Sequence, residues 1–588
     1  MSSTKDDRIL LSGNEAIARG AWEHGVRVAT AYPGTPSTEI LEAIAKYDGI
    51  YAQWSPNEKV ALEVAIGASV VGGRAMASMK HVGVNVAADP LLTLAYTGVN
   101  AGLVLVSADD PGIHSSQNEQ DNRFYGRFAR IPVIEPSDSQ ECKDFMGAAL
   151  HMSEDQDTVV ILRSTTRISH SKSLVTVSSR EERPLLPYSK DILKYVMVPG
   201  NALRRQPEVL SRHARIEAYV ETSPLNRIEW GDRHIGVITA GIAYQYVKDA
   251  YPDVSVLKLG ITYPLPVNLI REFAKGVETV VVIEELEPFL YENVLLTGVE
   301  AVHSGLPRVG ELSAAKVQKA LARLLGEEPE PVLTVPAKVP MRPPVMCPGC
   351  PHRSVFYVLQ KMKLMVSGDI GCYTLGALPP LSALDIFMSM GASIGMALGM
   401  EKADPASASR TVAVIGDSTF LHSGVTGLMD MVYNKSRGTV IILDNGTVAM
   451  TGHQDHPATG VTAQGEETRI TAIEDVAAGV GVRRITVLDP FDIKNLEKVL
   501  REELKAEEVS VIIARSPCVL TEPSDAEPLM VSADVCKGCK LCARIGCPAI
   551  SWMDDHPVID QSLCGGCSLC ANLCPFDAIS VDFPTVEE

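Results

Sequence analysis

Apolar residues in this chain gather in short runs separated by longer, alanine-rich stretches with polar residues at helical spacing. Between about residues 8 and 180, "VRVATAY", "GLVLVSA" and "TVVILRS" alternate with stretches such as "EKVALEVAIGASVVGG". Strands alternating with helices predict a doubly wound parallel sheet, an α/β domain over 1–180. The stretch 181–232 is polar, punctuated by proline, and reads as a linker region. "HIGVITAG", "VSVLKLG" and "TVVVIEEL" then predict a smaller α/β domain over 233–325. Six prolines between Pro329 and Pro344 mark 326–344 as a Pro-rich linker. A third α/β block, 345–520, carries "TVAVIGD", "TVIILDN" and "VSVIIARS", and a cysteine-dense domain over 528–588 ends the chain.

Composition changes this picture little: 588 residues, 46% hydrophobic and 21% charged, make a multidomain globular protein. A net charge of -19 argues against nucleic acid and against an anionic membrane surface. No run of eighteen apolar residues occurs, so no membrane span is expected. The opening "MSSTKDDRIL" lacks the apolar core of a secretory signal, and the expected location is the cytoplasm. Thirteen cysteines in a reducing compartment point to metal or catalysis rather than disulfides, and eight of them fall in the last 53 residues.

Those eight form two runs, "CKGCKLCARIGCP" and "CGGCSLCANLCP". The second is the two-cluster ferredoxin run, in which three thiolates hold one cubane and the fourth crosses to the other. One [4Fe-4S] cluster is therefore expected on Cys536, Cys539, Cys542 and Cys574, and another on Cys564, Cys567, Cys570 and Cys547. Zinc would want two CxxC pairs rather than two triplets each followed by Cys-Pro. An isolated CxxC, Cys347 and Cys350 in "RPPVMCPGCPHR", lies far upstream. A redox dithiol, half of a zinc site, a third cluster and chance are all open for it on spacing alone.

In the third block, "TVAVIGDSTFLHSG" resembles one half of the thiamine diphosphate motif, a strand ending in Gly416-Asp417, and "ILDNGT" the other. Asp417 and Asn445 are 28 residues apart, and one βαβ step places both at the carboxyl edge of neighbouring strands. There they could hold a Mg2+ bridging the diphosphate, with the Thr447 carbonyl as a third ligand. Ser418 stands where a glycine is usual, and Asp444 where an asparagine is. An ordinary turn and strand cap is the plainer alternative. Thiamine enzymes also need a buried carboxylate for the aminopyrimidine. "SPNEKVALEVAIGAS" offers Glu58, with Glu63 as its competitor and a solvated helix start as the bland reading.

Together with "AYPGTPSTEI" and "MKHVGVNVAADPL", these stretches resemble the 2-oxoacid:ferredoxin oxidoreductases, most nearly the α subunits of their indolepyruvate branch. The resemblance covers nearly the whole chain. It implies two thiamine-type domains, a transketolase C-terminal-like domain and a two-cluster ferredoxin domain. It implies oxidative decarboxylation of arylpyruvates with coenzyme A, ferredoxin as acceptor, and a small β subunit in an α2β2 assembly. Glu58 matches the activating glutamate, and Thr35, in "YPGTP", the threonine near the substrate carbonyl. The arginine that holds the carboxylate in the pyruvate enzymes is replaced by "VSADDPG", with Asp109 and Asp110. Arg123, Arg127 and His81 are the candidates for that task. The resemblance also implies a cluster beside the thiamine, on Cys347, Cys350, Cys372 and Cys518, which leaves Cys142 as a structural cysteine. Two other functions compete: a non-redox thiamine decarboxylase or lyase with an appended tail, and an electron-transfer scaffold with a dead thiamine site. Asp417, Asn445 and Glu58 are all present, against the second.

Overall fold

The apolar runs become strands buried on both faces, as parallel sheets between helices require. The computed structural model describes residues 8–329, 331, 340 and 342–582. The chain divides into two units, Met1–Pro336 and Ala337–Glu588. The division falls inside the proline-rich stretch 326–344, most of which lies outside the described residues.

In the first unit a seven-stranded sheet runs in the order Ile261–Tyr263, Val133–Ile134, Val160–Thr165, Leu103–Asp109, Ala75–Lys80, Val28–Ala31, Tyr51–Trp54. All neighbours are parallel except the pair of Ile261–Tyr263 with Val133–Ile134. Every residue of Ala75–Lys80, Leu103–Asp109 and Val160–Thr165 is buried. A five-stranded sheet follows: Val302–His303, Thr279–Ile283, Asp232–Ala240, Val254–Leu259, Arg227–Glu229.

Two boundaries differ from expectation. The stretch 181–232, read as a linker region, contains the 22-residue helix Pro199–Val220, which opens on a proline at its first turn. Its inward stripe is Val209, Arg212, Ile216 and Val220. An arginine completes the apolar spacing, donating to the Ala95 carbonyl (2.7 Å) and to Asp157 (3.2 Å), so the hydrophobic pattern looks broken from sequence. The domain expected over 233–325 is likewise not self-contained, because its strand Ile261–Tyr263 joins the edge of the first sheet.

The second unit holds a five-stranded parallel sheet, Met365–Ser367, Thr411–Gly416, Thr439–Asp444, Ser510–Arg515, Arg484–Leu488. Among the described residues its tail has two small antiparallel pairs, Met530–Val531 with Ile579–Ser580 and Ile550–Met553 with His556–Ile559. Among the described residues no helix is long and apolar enough to cross a membrane.

Candidate functional site

Parallel strands in register deliver their carboxyl ends to one edge, where open α/β sheets bind ligands. In the first unit that edge collects the Gly34-Thr35 turn, Glu58, Lys80, His81 and Asp109-Asp110. Glu58 opens the helix Glu58–Val70, whose cap Asn57 accepts from the Val60 amide (2.9 Å). Glu58 is only 5% exposed, whereas Glu63, one turn on, is exposed and pairs with Lys59 (3.4 Å). The two carboxylates that sequence left in competition therefore sit in opposite environments. The Glu58 carboxylate packs on Gly83, where a Cβ would come within 2.6 Å of Oε1. A Gly83→Ala change should push that carboxylate aside and lower turnover about 10- to 100-fold with the fold retained, measured as kcat beside a circular dichroism melt.

Of the three candidates for the substrate carboxylate, Arg123 is already committed. It is buried and bound to Asp121 (2.5 Å) and Glu284 (2.7 Å), and it donates to the Glu285 carbonyl (3.0 Å). Its partners at 284 and 285 are far along the chain, which is why sequence reading left it available. Arg127 is exposed beside Phe124 and Phe128. His81 is wholly buried, with Nε2 facing Asn118 Oδ1 (3.2 Å) and Nδ1 without a hydrogen-bond partner. Asp109 and Asp110 are also spoken for: Arg163 donates to Asp109 (2.7 Å), and Ser116 and Thr166 donate to Asp110 (2.7 and 2.8 Å). Thr35 is half-buried, and its carbonyl accepts from Ser115 Oγ (3.2 Å).

Sequence reading missed Lys80. It ends a fully buried strand, and its stem lies against Gly34, where a Cβ would come 3.1 Å from Cδ. Its ammonium donates to the Ser115 carbonyl (2.8 Å). Burial holds its pKa down to about 8, against the opposing pull of Asp110 and Glu58. A lone lysine closing an apolar strand just before His81 was the available signal.

In the second unit, Thr411–Gly416 and Thr439–Asp444 pair in parallel, Gly416 opposite Leu443, so Asp417 and Asn445 emerge side by side. Asp417 is buried; Oδ2 accepts from the amides of Asn445 (3.2 Å) and Gly446 (2.8 Å), and Oδ1 from Ser418 (2.7 Å). Gly446 has φ +69°, the left-handed conformation in which this turn aims its amide back at Asp417. His456 Nε2 lies 3.4 Å from Asp417 Oδ2. Thr447 is buried and donates to the Gln454 carbonyl (3.4 Å). Asp444, the departure from the usual asparagine, receives Arg515 (2.6 Å), which also holds Glu474 (2.6 Å). That pairing offsets the additional negative charge. A carboxylate, an amide and a carbonyl at one strand edge are the hard oxygen donors that Mg2+ with phosphate selects.

Two further residues come to this edge unannounced by sequence. His352 is buried, its pKa pushed down to about 4 by burial against the pull of Asp417, and it meets Tyr373 edge-on (6.0 Å). Asp369 accepts from the amides of Ile370, Gly391 and Ser393 (2.9, 2.8 and 3.0 Å), fixing the loop that leads to Cys372.

The tail cysteines divide between two hollows. Cys536, Cys539, Cys542 and Cys574 line one, and Cys547, Cys564, Cys567 and Cys570 line another. This is the partition of the crossed ferredoxin pattern. Backbone amides already point at sulfur, Leu529 to Cys564 (3.4 Å), Gly538 to Cys536 (3.5 Å) and Ala578 to Cys574 (3.3 Å). Upstream, Cys350 feels the charges of Cys347 and Cys372, and Cys372 those of Cys518 and Cys347. Burial pushes the thiols of Cys350 and Cys372 up to about 12 and 11, so they ionise only with a metal's help. Among the described residues no three cysteine sulfurs lie within 4.8 Å of one another. The Cys518 amide donates to the Asn445 carbonyl (3.0 Å), tying the fourth cysteine to the Asp417–Asn445 edge. Cys142 is buried in the helix Ser139–Gln156 of the first unit.

Comparison with known proteins agrees with this geometry. Residues 19–215 match the model "Pyruvate flavodoxin/ferredoxin oxidoreductase, thiamine diP-bdg", and 369–514 match "Thiamine pyrophosphate enzyme, C-terminal TPP binding domain". Residues 557–580 match "4Fe-4S binding domain". The chain is 41% identical to the indolepyruvate oxidoreductase subunit IorA of Archaeoglobus fulgidus, covering 97% of each chain. It is 42% identical to the same subunit of Methanothermobacter marburgensis (98% of each chain) and 41% to that of Thermococcus kodakarensis (97% of each). Thiamine diphosphate and iron–sulfur clusters are thus the cofactors of these domains. With relatives this similar along its entire length, the chain belongs to the 2-oxoacid:ferredoxin oxidoreductase family.

Proposed function

We propose that this chain is the large subunit of an enzyme that oxidatively decarboxylates arylpyruvates with coenzyme A and passes two electrons per turnover to ferredoxin. One observation carries the redox part of this reading: Cys518 is hydrogen-bonded through its amide to the carbonyl of Asn445, so cysteines are built into the thiamine strand edge itself. A non-redox decarboxylase has no use for them there. The relatives, each named a subunit of an indolepyruvate oxidoreductase, support the arylpyruvate class and a partner subunit; a small β subunit in an α2β2 assembly is what the family resemblance implies. Cysteine usage supports a cytoplasmic setting.

Bound thiamine diphosphate supplies the carbon that attacks the 2-oxo group and accepts the electrons left behind when CO2 departs. Asp417, Asn445 and the Thr447 carbonyl hold the Mg2+ of the diphosphate. Glu58, shielded from water, exchanges a proton with the aminopyrimidine. Thr35 and His81 face the reacting carbonyl, and Lys80, buried at the strand edge where Arg123 is already committed to Asp121 and Glu284, holds the substrate carboxylate. Cys347, Cys350, Cys372 and Cys518 would hold one [4Fe-4S] cluster and the eight tail cysteines two more, which would supply a route for the electrons.

The assignment of Lys80 gives a pH signature. Above about pH 8 the folded enzyme loses this cation, so KM for the arylpyruvate should climb with pH there and stay level below. Lys80→Met should raise KM about 10- to 100-fold at neutral pH, the worth of one charge-assisted contact. Lys80→Arg should flatten the alkaline limb. A Lys80→Met enzyme with unaltered KM would remove Lys80 from the site. The substrate class is tested with the anaerobic enzyme and its partner subunit: viologen reduction with indolepyruvate, phenylpyruvate and hydroxyphenylpyruvate should exceed that with pyruvate or 2-oxoglutarate, and should require coenzyme A.

A further inference from the structure

Arg353 follows the upstream CxxC and is 2% exposed. Its guanidinium donates only to carbonyl oxygens: Nε to Cys347 (2.9 Å), Nη2 to Met346, and Nη1 to Gly546 (2.6 Å) and Ile545 (3.2 Å). Among the described residues no carboxylate pairs with it. Carbonyls satisfy its N–H groups but supply no net charge, and a buried cation without a counter-charge is costly. The ionisable groups that act on it are cysteines: Cys547, Cys350, Cys347 and Cys567.

These four belong to two different sites, and Arg353 stands between them. Pro348 and Gly349, the residues inside the CxxC, line the hollow of Cys547, Cys564, Cys567 and Cys570 together with Arg353. A Cβ on Gly349 would lie 3.9 Å from the Cβ of Cys567. One loop therefore walls both sites. As neutral thiols these cysteines would leave Arg353 uncompensated. Ligating two cubanes, they are thiolates of anionic clusters on either side of it.

We propose that Arg353 is the shared counter-charge and coupling bridge between the cluster on Cys347, Cys350, Cys372 and Cys518 and the tail cluster on Cys547, Cys564, Cys567 and Cys570, which makes these two consecutive in the electron path. The inference rests on the three-cluster reading above. Its bridge is short: the Cys347 carbonyl, the guanidinium, and the Gly546 carbonyl, whose peptide continues into Cys547. The step is a single electron passing from the reduced upstream cluster, charged by the 2-oxoacid, to the oxidised tail cluster. Arg353 keeps its proton throughout, as arginine does. Its positive charge favours the reduced state of both neighbours and lowers the repulsion an arriving electron meets. The cluster on Cys536, Cys539, Cys542 and Cys574 lies outside its contacts and comes last.

The test uses the full chain with its partner subunit, prepared anaerobically, as wild type, R353Q and R353K. Iron content is measured first; eight atoms rather than twelve in the wild type would overturn the three-cluster reading and this inference with it. With iron intact, R353Q should move the midpoint potentials of two clusters downward in an EPR-monitored titration, leave the third in place, and slow reduction of the tail by at least about tenfold. R353K, which keeps the charge, should restore the midpoints. A residue that merely pinned the tail would give unmoved midpoints in R353Q, or an equal shift of all three, and either outcome overturns the proposal. Should R353Q lose iron, the wild type decides: dithionite-reduced enzyme should show a spin–spin splitting beyond that of the two tail clusters alone, and C347A should lose that additional splitting. Its absence from the wild type overturns the proposal.

Discussion

Asp417→Ala is expected to abolish arylpyruvate-dependent activity while every cluster remains in place. Asp417 is a buried carboxylate on which the amides of Ser418, Asn445 and Gly446 converge, beside His456. Its loss removes the one protein anion assigned to the Mg2+ and unfastens the Gly446 turn that shapes the diphosphate edge. Losing a group that only hydrogen-bonds to a metal ligand costs roughly 10- to 100-fold in affinity, and losing the ligand itself should cost more. Thiamine diphosphate content after desalting, measured by fluorescence of its oxidised derivative, should fall to background. Iron content and the dithionite-reduced EPR spectrum should match the wild type. A variant that kept its thiamine and its turnover would reject the assignment of this edge. Glu58→Gln should behave in the opposite sense: cofactor retained, turnover lower by about 100-fold or more, because only the proton exchange is lost.

The second large effect concerns iron. With three cubanes of four iron atoms each, the anaerobically prepared chain should hold twelve, and Cys347→Ala about eight. The defect should map to the thiamine end: the tail clusters still accept electrons from dithionite, but arylpyruvate reduces them far more slowly. Eight iron atoms in both proteins, or zinc in the wild type, would reject the upstream cluster. The buried thiols at Cys350 and Cys372, pushed up to about 12 and 11, set the pH behaviour of reconstitution. They must lose protons to bind, so cluster incorporation into the apoprotein should improve as pH rises.

Much of this architecture was legible in the sequence because it follows short-range rules. Strand–helix alternation gave the parallel sheets, and the separation of Asp417 from Asn445 gave their meeting at one edge, because one βαβ step fixes it. The sorting of the tail cysteines into two hollows was legible for the same reason, because it follows their spacing. What sequence did not disclose depends on pairs distant in the chain. Arg123 looked free for a substrate until Glu284, 161 residues further along the chain, took it. Arg212 hid a long helix by sitting where an apolar residue was expected. Lys80 was overlooked because its environment is assembled by Gly34, Glu58 and Asp110 from separate strand ends. Arg353 was visible in "CPGCPHR", but nothing local shows that its other partners would be Ile545 and Gly546.

On the proposed function, electrons released from a 2-oxoacid leave through clusters built onto the thiamine sheet edge. The most direct measurement mixes the anaerobic enzyme, complete with its partner subunit, with indolepyruvate and coenzyme A, without an external acceptor. CO2 release and cluster reduction are then followed together, the latter by EPR of frozen samples. The clusters should become reduced, with two electrons leaving the substrate for each CO2 formed, and the Asp417→Ala enzyme should produce neither signal. CO2 release with the clusters left oxidised would contradict the proposed function and mark the chain as a non-redox decarboxylase.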